Sequence, residues 1–111
     1  MEFINGGICA AKGFTAGGVH CGIRKNKTKK DLALIYSETK ASAAAVYTTN
    51  LVKGAPLAVT KAHLLNGKAQ AVICNSGNAN TCNANGIEVA EEMAKITADA
   101  LNISEDDIIV A

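Results

Sequence analysis

The sequence predicts a single domain that mixes α-helices and β-strands. Short apolar runs, such as residues 71–74, have the length of buried strands, whereas residues 86–101 repeat apolar side chains with the period of a helix. The chain has 111 residues, which is the size of one domain. We therefore expect strands and helices to share one hydrophobic core in a mixed α+β fold.

The first half of the chain predicts strands joined by turns. Residues 4–23 contain six glycines among short apolar groups, which predicts an opening hairpin that turns at Lys12-Gly13. Residues 24–30 carry five basic side chains. They predict a solvated hairpin tip, because no aromatic residue interrupts the run to stack on a nucleic-acid base. Residues 31–36 and 41–47 predict two further strands.

The second half of the chain predicts two helices. The first opens near Pro56, which the first turn of a helix tolerates, and runs to residue 65 before stopping at Asn66-Gly67. The second covers residues 86–101, with charged side chains opposite an apolar face. That face is predicted to consist of Val89, Ala90, Met93, Ile96, Thr97, Ala100 and Leu101. Strands are predicted over residues 69–74 and 108–111.

Composition and charge argue against several classes of function. A net charge of +1 gives no strong field for nucleic acid or an anionic membrane. No apolar stretch approaches the roughly 20 residues that span a bilayer, and no secretory signal is present, so we expect a cytoplasmic protein. The four cysteines contain no C-x-x-C pair and predict free thiols rather than a metal site. His63 is expected to be a half-exposed helix residue rather than a catalytic base.

The apolar residues are unusually small. Twenty of them are alanine, and the chain has two Phe, two Tyr and no Trp. Alanine buries little area, so the hydrophobic stabilisation of this core is expected to be thin. We therefore expect the chain to rest on a partner surface.

Residues 75–80 are the most distinctive polar segment. They read Asn-Ser-Gly-Asn-Ala-Asn and follow the strand predicted at 69–74. Asparagine and glycine tolerate a positive φ, so the backbone can turn tightly and bring several amide groups together. The candidate site residues are Asn75, Ser76, Asn78 and Asn80. Two roles stay open for them: they lock the strand end through side-chain hydrogen bonds, or they line or buttress a substrate pocket.

Several motifs resemble the N-terminal part of the ornithine acetyltransferase family, also called bifunctional glutamate N-acetyltransferases. The most specific are Thr48-Thr49-Asn50 and the asparagine-rich block. The full set comprises residues 12–17, 22–24, 31–35, 45–50, 55–57, 69–71 and 75–80, together with Cys82.

The resemblance implies a self-cleaving enzyme of arginine biosynthesis that moves an acetyl group from N-acetylornithine to glutamate. Its nucleophile is a threonine freed at the start of a second, β chain. That threonine is absent here, and an oxyanion-stabilising Thr-Gly pair is expected after Ala111. The resemblance thus places no catalytic residue in this chain and predicts that the chain alone is inactive. It implies no metal or organic cofactor and leaves open whether acetyl-CoA is a co-substrate.

The resemblance also implies an architecture and partners. Residues 1–111 are expected to be the N-terminal portion of the acetyltransferase domain, truncated before the oxyanion turn. They would form an incomplete part of an α/β/β/α-type sandwich, with helices packed on mixed sheets. The rest of the α chain and the β chain would complete a hetero-oligomer. Two alternatives are a small polyanion-binding module that uses residues 24–30 and the asparagine block, and a threonine-nucleophile aminopeptidase of the same fold.

Overall fold

The computed structural model describes all 111 residues. Its centre is a four-stranded sheet with the spatial order β1-β2-β3-β4. The strands are β1 (Phe14–Val19), β2 (Leu32–Ser42), β3 (Lys68–Asn75) and β4 (Ile108–Val110), and the helices are α1 (Ala55–His63) and α2 (Gly86–Leu101). Short 3₁₀ turns cover Gly7–Ala10, Leu64–Asn66 and Glu105–Asp107. The predicted mixed α+β class is confirmed.

The sheet combines antiparallel and parallel pairing. Strand β2 pairs antiparallel with both β1 and β3, and the basic residues 24–30 lie in the connection between β1 and β2, as predicted. Strand β4 pairs parallel with β3, with Ile73 opposite Val110. Parallel neighbours need a long crossover, and helix α2 lies in that crossover. Helix α2 therefore starts beside the end of β3.

The core lies between the sheet and the two helices. Four of its eight buried members are alanines, three of them on α2, so that helix approaches the strands closely and each contact buries little area. The first turns of the helices also touch, because a Cβ added at Gly86 would lie 2.8 Å from the Cβ of Ala55. The buried core residues are Val59, Ala71, Ile73, Ala90, Ala94, Ala98, Ile108 and Val110.

Helix α2 has the predicted limits, but its buried face is rotated from the predicted one. Val89 and Ile96 were expected in the core, yet they are 44% and 59% exposed. The buried residues are Ala90 and Thr97, which were predicted, together with Ala94 and Ala98, which were not. The prediction favoured the larger apolar side chains, whereas small side chains let the helix lie close to the sheet.

Two predicted strands are wrong. Residues 4–23 contain one 3₁₀ turn and one strand, β1, which pairs with β2 rather than with the preceding residues. The predicted strand at 41–47 is only the last two residues of β2, because pairing with β3 is irregular after Tyr36 and the strand ends at Ser42. Alanine and glycine fit several backbone conformations, so the available pairing partner decides between them.

The end of α1 is close to its prediction. The helix stops at His63, a 3₁₀ turn extends it to Asn66, and Gly67 follows with a φ of 66°. Glycine adopts this left-handed conformation without the strain that a side chain would introduce. The Asn66-Gly67 stop signal is therefore confirmed.

A buried carboxylate lies at the start of β4. The side chain of Asp107 is 1% exposed, and Lys40 Nζ is 2.8 Å from its Oδ2 atom. No other group donates a hydrogen bond to either carboxylate oxygen. A buried charge needs a partner, so this ion pair connects the irregular end of β2 to the start of β4.

Replacing Lys40 with alanine leaves the Asp107 carboxylate buried without its counter-ion. We expect Lys40→Ala to lower the free energy of unfolding by about 2 kcal/mol, because an uncompensated buried polar group keeps its desolvation cost. Urea denaturation followed by circular dichroism measures the change. Lys61→Ala, at an exposed lysine on α1, is the matched control. Equal losses for the two variants would contradict a role for the ion pair.

Candidate functional site

The asparagine loop, residues 75–80, begins where the parallel strands β3 and β4 end side by side. The Ala111 N–H donates to the Ile73 carbonyl at 2.9 Å, and the Asn75 N–H donates to the Ala111 carbonyl at 3.1 Å. Ligand sites of sheets with parallel strands are commonly found outside the carboxyl ends of those strands. The asparagine loop is therefore placed where a site is expected.

Two of the predicted site residues pair with each other. Asn80 Nδ2 donates to Asn75 Oδ1 at 2.6 Å, and Asn75 Nδ2 donates back to Asn80 Oδ1 at 3.2 Å. Asn78 Nδ2 donates to the same Asn80 oxygen at 3.2 Å. The chain between them turns through positive φ values of 101° at Gly77 and 55° at Asn80. The reciprocal amide pair closes the loop at the end of β3.

Ser76 points away from this amide cluster. Its hydroxyl accepts a hydrogen bond from Arg24 Nε at 2.8 Å, and its N–H donates to the Asp31 carbonyl at 2.8 Å. A Cβ added at Gly77 would lie 2.7 Å from Arg24 Cγ, so the aliphatic part of Arg24 packs directly under the loop backbone. Arg24 therefore connects the basic hairpin tip to the asparagine loop.

Asp31 holds the hairpin tip in place and was missed as a site residue. It is 2% exposed, and its carboxylate accepts the N–H groups of Cys21 at 2.7 Å and Arg24 at 2.9 Å. His20 Nδ1 lies 3.1 Å from the same carboxylate. The sequence pattern assigned Asp31 only to the start of a strand. Its hydrogen-bond partners lie in the preceding loop, and only the turn of that loop brings them to the carboxylate. Asp31 thus supports Arg24, which supports Ser76.

These contacts shift the acidity of two groups. The N–H donors of Arg24 and Cys21 hold the pKa of Asp31 well below its usual range, because they stabilise the ionised form. The Asp31 carboxylate in turn raises the pKa of the Cys21 thiol by accepting its hydrogen bond. Cys21 is exposed but is kept in the less reactive thiol form.

A small polar cavity lies between the asparagine loop and the start of α2. Its volume is about 200 Å³, and four asparagines contribute to its wall. Two of them, Asn78 and Asn80, were predicted site residues, whereas Asn75 and Ser76 do not line it. The other two are Asn83 and Asn85, which were not among the predicted site residues. The run of polar residues continues past residue 80, and this run was the sequence signal that could have identified Asn83 and Asn85.

A larger open groove runs between the first turns of α1 and α2. Its volume is about 730 Å³, and Tyr47, Lys53, Lys61 and Glu88 are among its lining residues. The groove and the small cavity share Asn83, Asn85 and Gly86. The two helix starts therefore border one continuous open region next to the asparagine loop.

Several other features bear on binding. All four cysteines are free. No cluster of three or more His, Cys, Asp or Glu side chains has the spacing to hold a metal ion. None of the helices is both long enough and apolar enough to cross a membrane.

Comparison with known proteins identifies close relatives. The profile of the ArgJ family matches residues 15–111. The chain is 51% identical over 111 residues to the arginine biosynthesis bifunctional protein ArgJ of Caldanaerobacter subterraneus subsp. tengcongensis, covering 99% of this chain and 27% of that protein. It is 53% identical over 113 residues to the Gloeobacter violaceus protein of the same name, covering 100% of this chain and 28% of that protein. The chain thus spans about a quarter of the length of these curated relatives.

Solved structures share the fold. The crystal structure of arginine biosynthesis bifunctional protein ArgJ from Bacillus halodurans superposes with a TM-score of 0.86 at 43% identity, covering 92% of this chain and 53% of that chain. Ornithine acetyltransferase from Mycobacterium tuberculosis, crystallised in complex with ornithine, gives a TM-score of 0.84 at 37% identity, with 92% and 56% covered.

Replacing Asp31 with asparagine tests its role in holding the hairpin tip. A carboxyl whose pKa is lowered on folding stabilises the protein fully at any pH above its ordinary pKa of about 3.9, and the contribution declines as the pH falls from that value through the lowered pKa of the folded protein. We expect Asp31→Asn to lower the urea midpoint at pH 7, and the difference from wild type to narrow progressively as the pH falls below about 4. Asp99→Asn, at an exposed aspartate of α2, is the control. A difference independent of pH would contradict the assignment.

Proposed function

The chain belongs to the ArgJ family, and from this membership we propose that it supplies the leading part of an enzyme that moves an acetyl group from N-acetylornithine to glutamate. The observation that carries the proposal is the match over nearly the whole chain, at about half identical residues, to proteins named for arginine biosynthesis. The superposition on ornithine acetyltransferase, a structure that contains ornithine, supports the same substrate class.

The reaction proposed for the complete enzyme has two steps. A threonine hydroxyl attacks the acetyl carbonyl of N-acetylornithine, the C–N bond breaks, and ornithine leaves with the proton. The amine of glutamate then attacks the acetyl ester and releases the threonine. We place this threonine at the start of a β chain produced by self-cleavage, in a hetero-oligomer with the α chain that contains residues 1–111. Cytoplasmic location stays a prediction, and the use of acetyl-CoA as a second donor stays an open alternative.

This chain is assigned a supporting role in that reaction. Its two histidines contact the carbonyls of Lys29 and Ile108 and the Asp31 carboxylate, and neither contacts a Ser, Thr or Cys side chain that it could activate. The contacts are consistent with reactive groups contributed by the rest of the enzyme. We therefore propose that the chain alone is inactive.

Within the asparagine loop we propose different roles for different residues. Asn75 and Asn80 satisfy each other, and Ser76 is occupied by Arg24, so these three are proposed to buttress the site. Asn78 is exposed and lines the small cavity, and its carboxamide oxygen has no partner in the chain. Asn78 is the member proposed to contact a polar ligand. The polyanion-binding and aminopeptidase alternatives gain no support from the relatives.

Acetyl transfer by the full-length enzyme tests the proposal. With N-acetylornithine labelled in its acetyl group, we expect labelled N-acetylglutamate and an equal amount of free ornithine, because the acetyl group moves intact. Chromatography measures both products, and an arm with labelled acetyl-CoA as sole donor tests the second donor. Residues 1–111 alone should give no transfer. Failure of the full-length enzyme to label glutamate, or transfer by the fragment, would contradict the proposal.

The division of roles in the loop predicts different outcomes for two neighbouring asparagines. Asn78→Ala should raise KM for one of the amino-acid substrates roughly fivefold, the effect of losing one hydrogen bond of about 1 kcal/mol, and leave the urea midpoint unchanged. Asn80→Ala should lower the midpoint instead, because it breaks the reciprocal pair. Steady-state kinetics and denaturation of both variants measure this. Wild-type kinetics for Asn78→Ala would leave the loop with a structural role only.

A further inference from the structure

Strand β4 forms one edge of the sheet, yet its outer side is satisfied by side chains of helix α1. The Val110 N–H donates to Thr60 Oγ1 at 3.0 Å, and the Thr60 hydroxyl donates to the Val110 carbonyl at 2.8 Å. One turn further along, His63 Nδ1 donates to the Ile108 carbonyl at 2.7 Å. An edge strand normally presents such groups to water or to another strand. Helix α1 therefore occupies the place of a fifth strand.

The geometry of these contacts follows from the residue spacing along a strand and along a helix. Ile108 and Val110 are two residues apart, so their backbone groups face the same side of the strand, about 6.6 Å apart. Thr60 and His63 are three residues apart and share one face of the helix, about 4.5 Å apart along its axis. The longer reach of the histidine ring covers the difference. Because the order of the contacts is reversed, α1 runs antiparallel to β4.

The Thr60 contact leads directly to the candidate site. Thr60 and Val110 are 5% and 2% exposed, so water does not replace these hydrogen bonds. The next residue, Ala111, donates to Ile73 and accepts from Asn75, the first residue of the asparagine loop. The end of β4 is therefore held from one side by β3 and the loop, and from the other side by the hydroxyl of Thr60.

We propose that Thr60 is a positioning residue that fixes the position of Val110 in β4 relative to the asparagine loop, and thereby aligns the reaction centre proposed next to it. The inference rests on the proposed function, which places the reactive groups of the enzyme beyond Ala111. Thr60 touches no substrate in this role. Displacing catalytic groups by about 1 Å lowers the reaction rate up to a hundredfold. Loss of the Thr60 contacts is therefore expected to lower kcat more than it weakens substrate binding.

The test uses the full-length enzyme and three variants. Thr60→Val keeps the shape of the side chain and removes both hydrogen bonds, whereas Thr60→Ser restores the hydroxyl. Thr97→Val is the matched control, because the buried Thr97 hydroxyl donates only to the Met93 carbonyl within its own helix. We expect Thr60→Val to lower kcat at least tenfold with KM within twofold. Thr60→Ser should recover kcat to within about threefold, and Thr97→Val should keep the wild-type kcat.

Each outcome decides between the inference and its alternatives. A kcat for Thr60→Val equal to that of Thr97→Val would overturn the inference and leave Thr60 a structural residue, while the proposed function stands. An inactive wild-type enzyme would overturn the proposed function and the inference together. If Thr60→Val does not fold, Thr60→Ala replaces it, because alanine also removes both hydrogen bonds but leaves space for a water molecule at the Val110 backbone groups. A lowered kcat at constant KM then supports positioning by Thr60, and an unchanged kcat overturns it.

Discussion

Close contact between the alanine-lined helix α2 and the sheet is the constraint on which the other features of this protein depend. Ala90, Ala94 and Ala98 on α2 bring that helix onto β3 and β4, and Gly86 lets its first turn touch α1. Larger side chains at these positions would separate the layers, because packed interiors do not absorb extra volume without strain. The short distance between α2 and the sheet places the start of α2 beside the asparagine loop, and helix α1, which touches that start, bonds the backbone of β4 through the Thr60 hydroxyl.

The asparagine loop is held by polar contacts from distant parts of the chain. Asp31 stabilises the hairpin tip through backbone N–H groups, and Arg24 carries that stabilisation to Ser76. From the other side, β4 supports Asn75 through the Ala111 carbonyl. Because Asp31 stays ionised at neutral pH, the hydrogen bonds that its carboxylate accepts are charge-assisted and stronger than neutral ones. The loop is thus preorganised before any ligand binds.

This organisation matches the role proposed for the chain in an acetyl-transferring enzyme. A centre that stabilises developing charge depends on fixed donors, since donors that must reorient during the reaction lose much of their effect. The buried Thr60 hydroxyl and the half-buried amide pair of Asn75 and Asn80 suit that task better than exposed, flexible groups. The apolar residues left exposed, among them Val46 and Leu51, are compatible with further contacts to the rest of the enzyme.

The sequence by itself determined helix α2, the stop of α1 at Gly67 and the polar turn after β3, because periodicity and positive-φ residues act over a few neighbouring positions. It did not determine the early end of β2 or the rotation of α2, since alanine and glycine fit several environments equally well. The roles of Asp31 and Thr60 were decided only by the tertiary structure. Their partners are backbone groups 7 to 50 residues away, and any residue type offers the same backbone N–H and C=O groups to a sequence pattern.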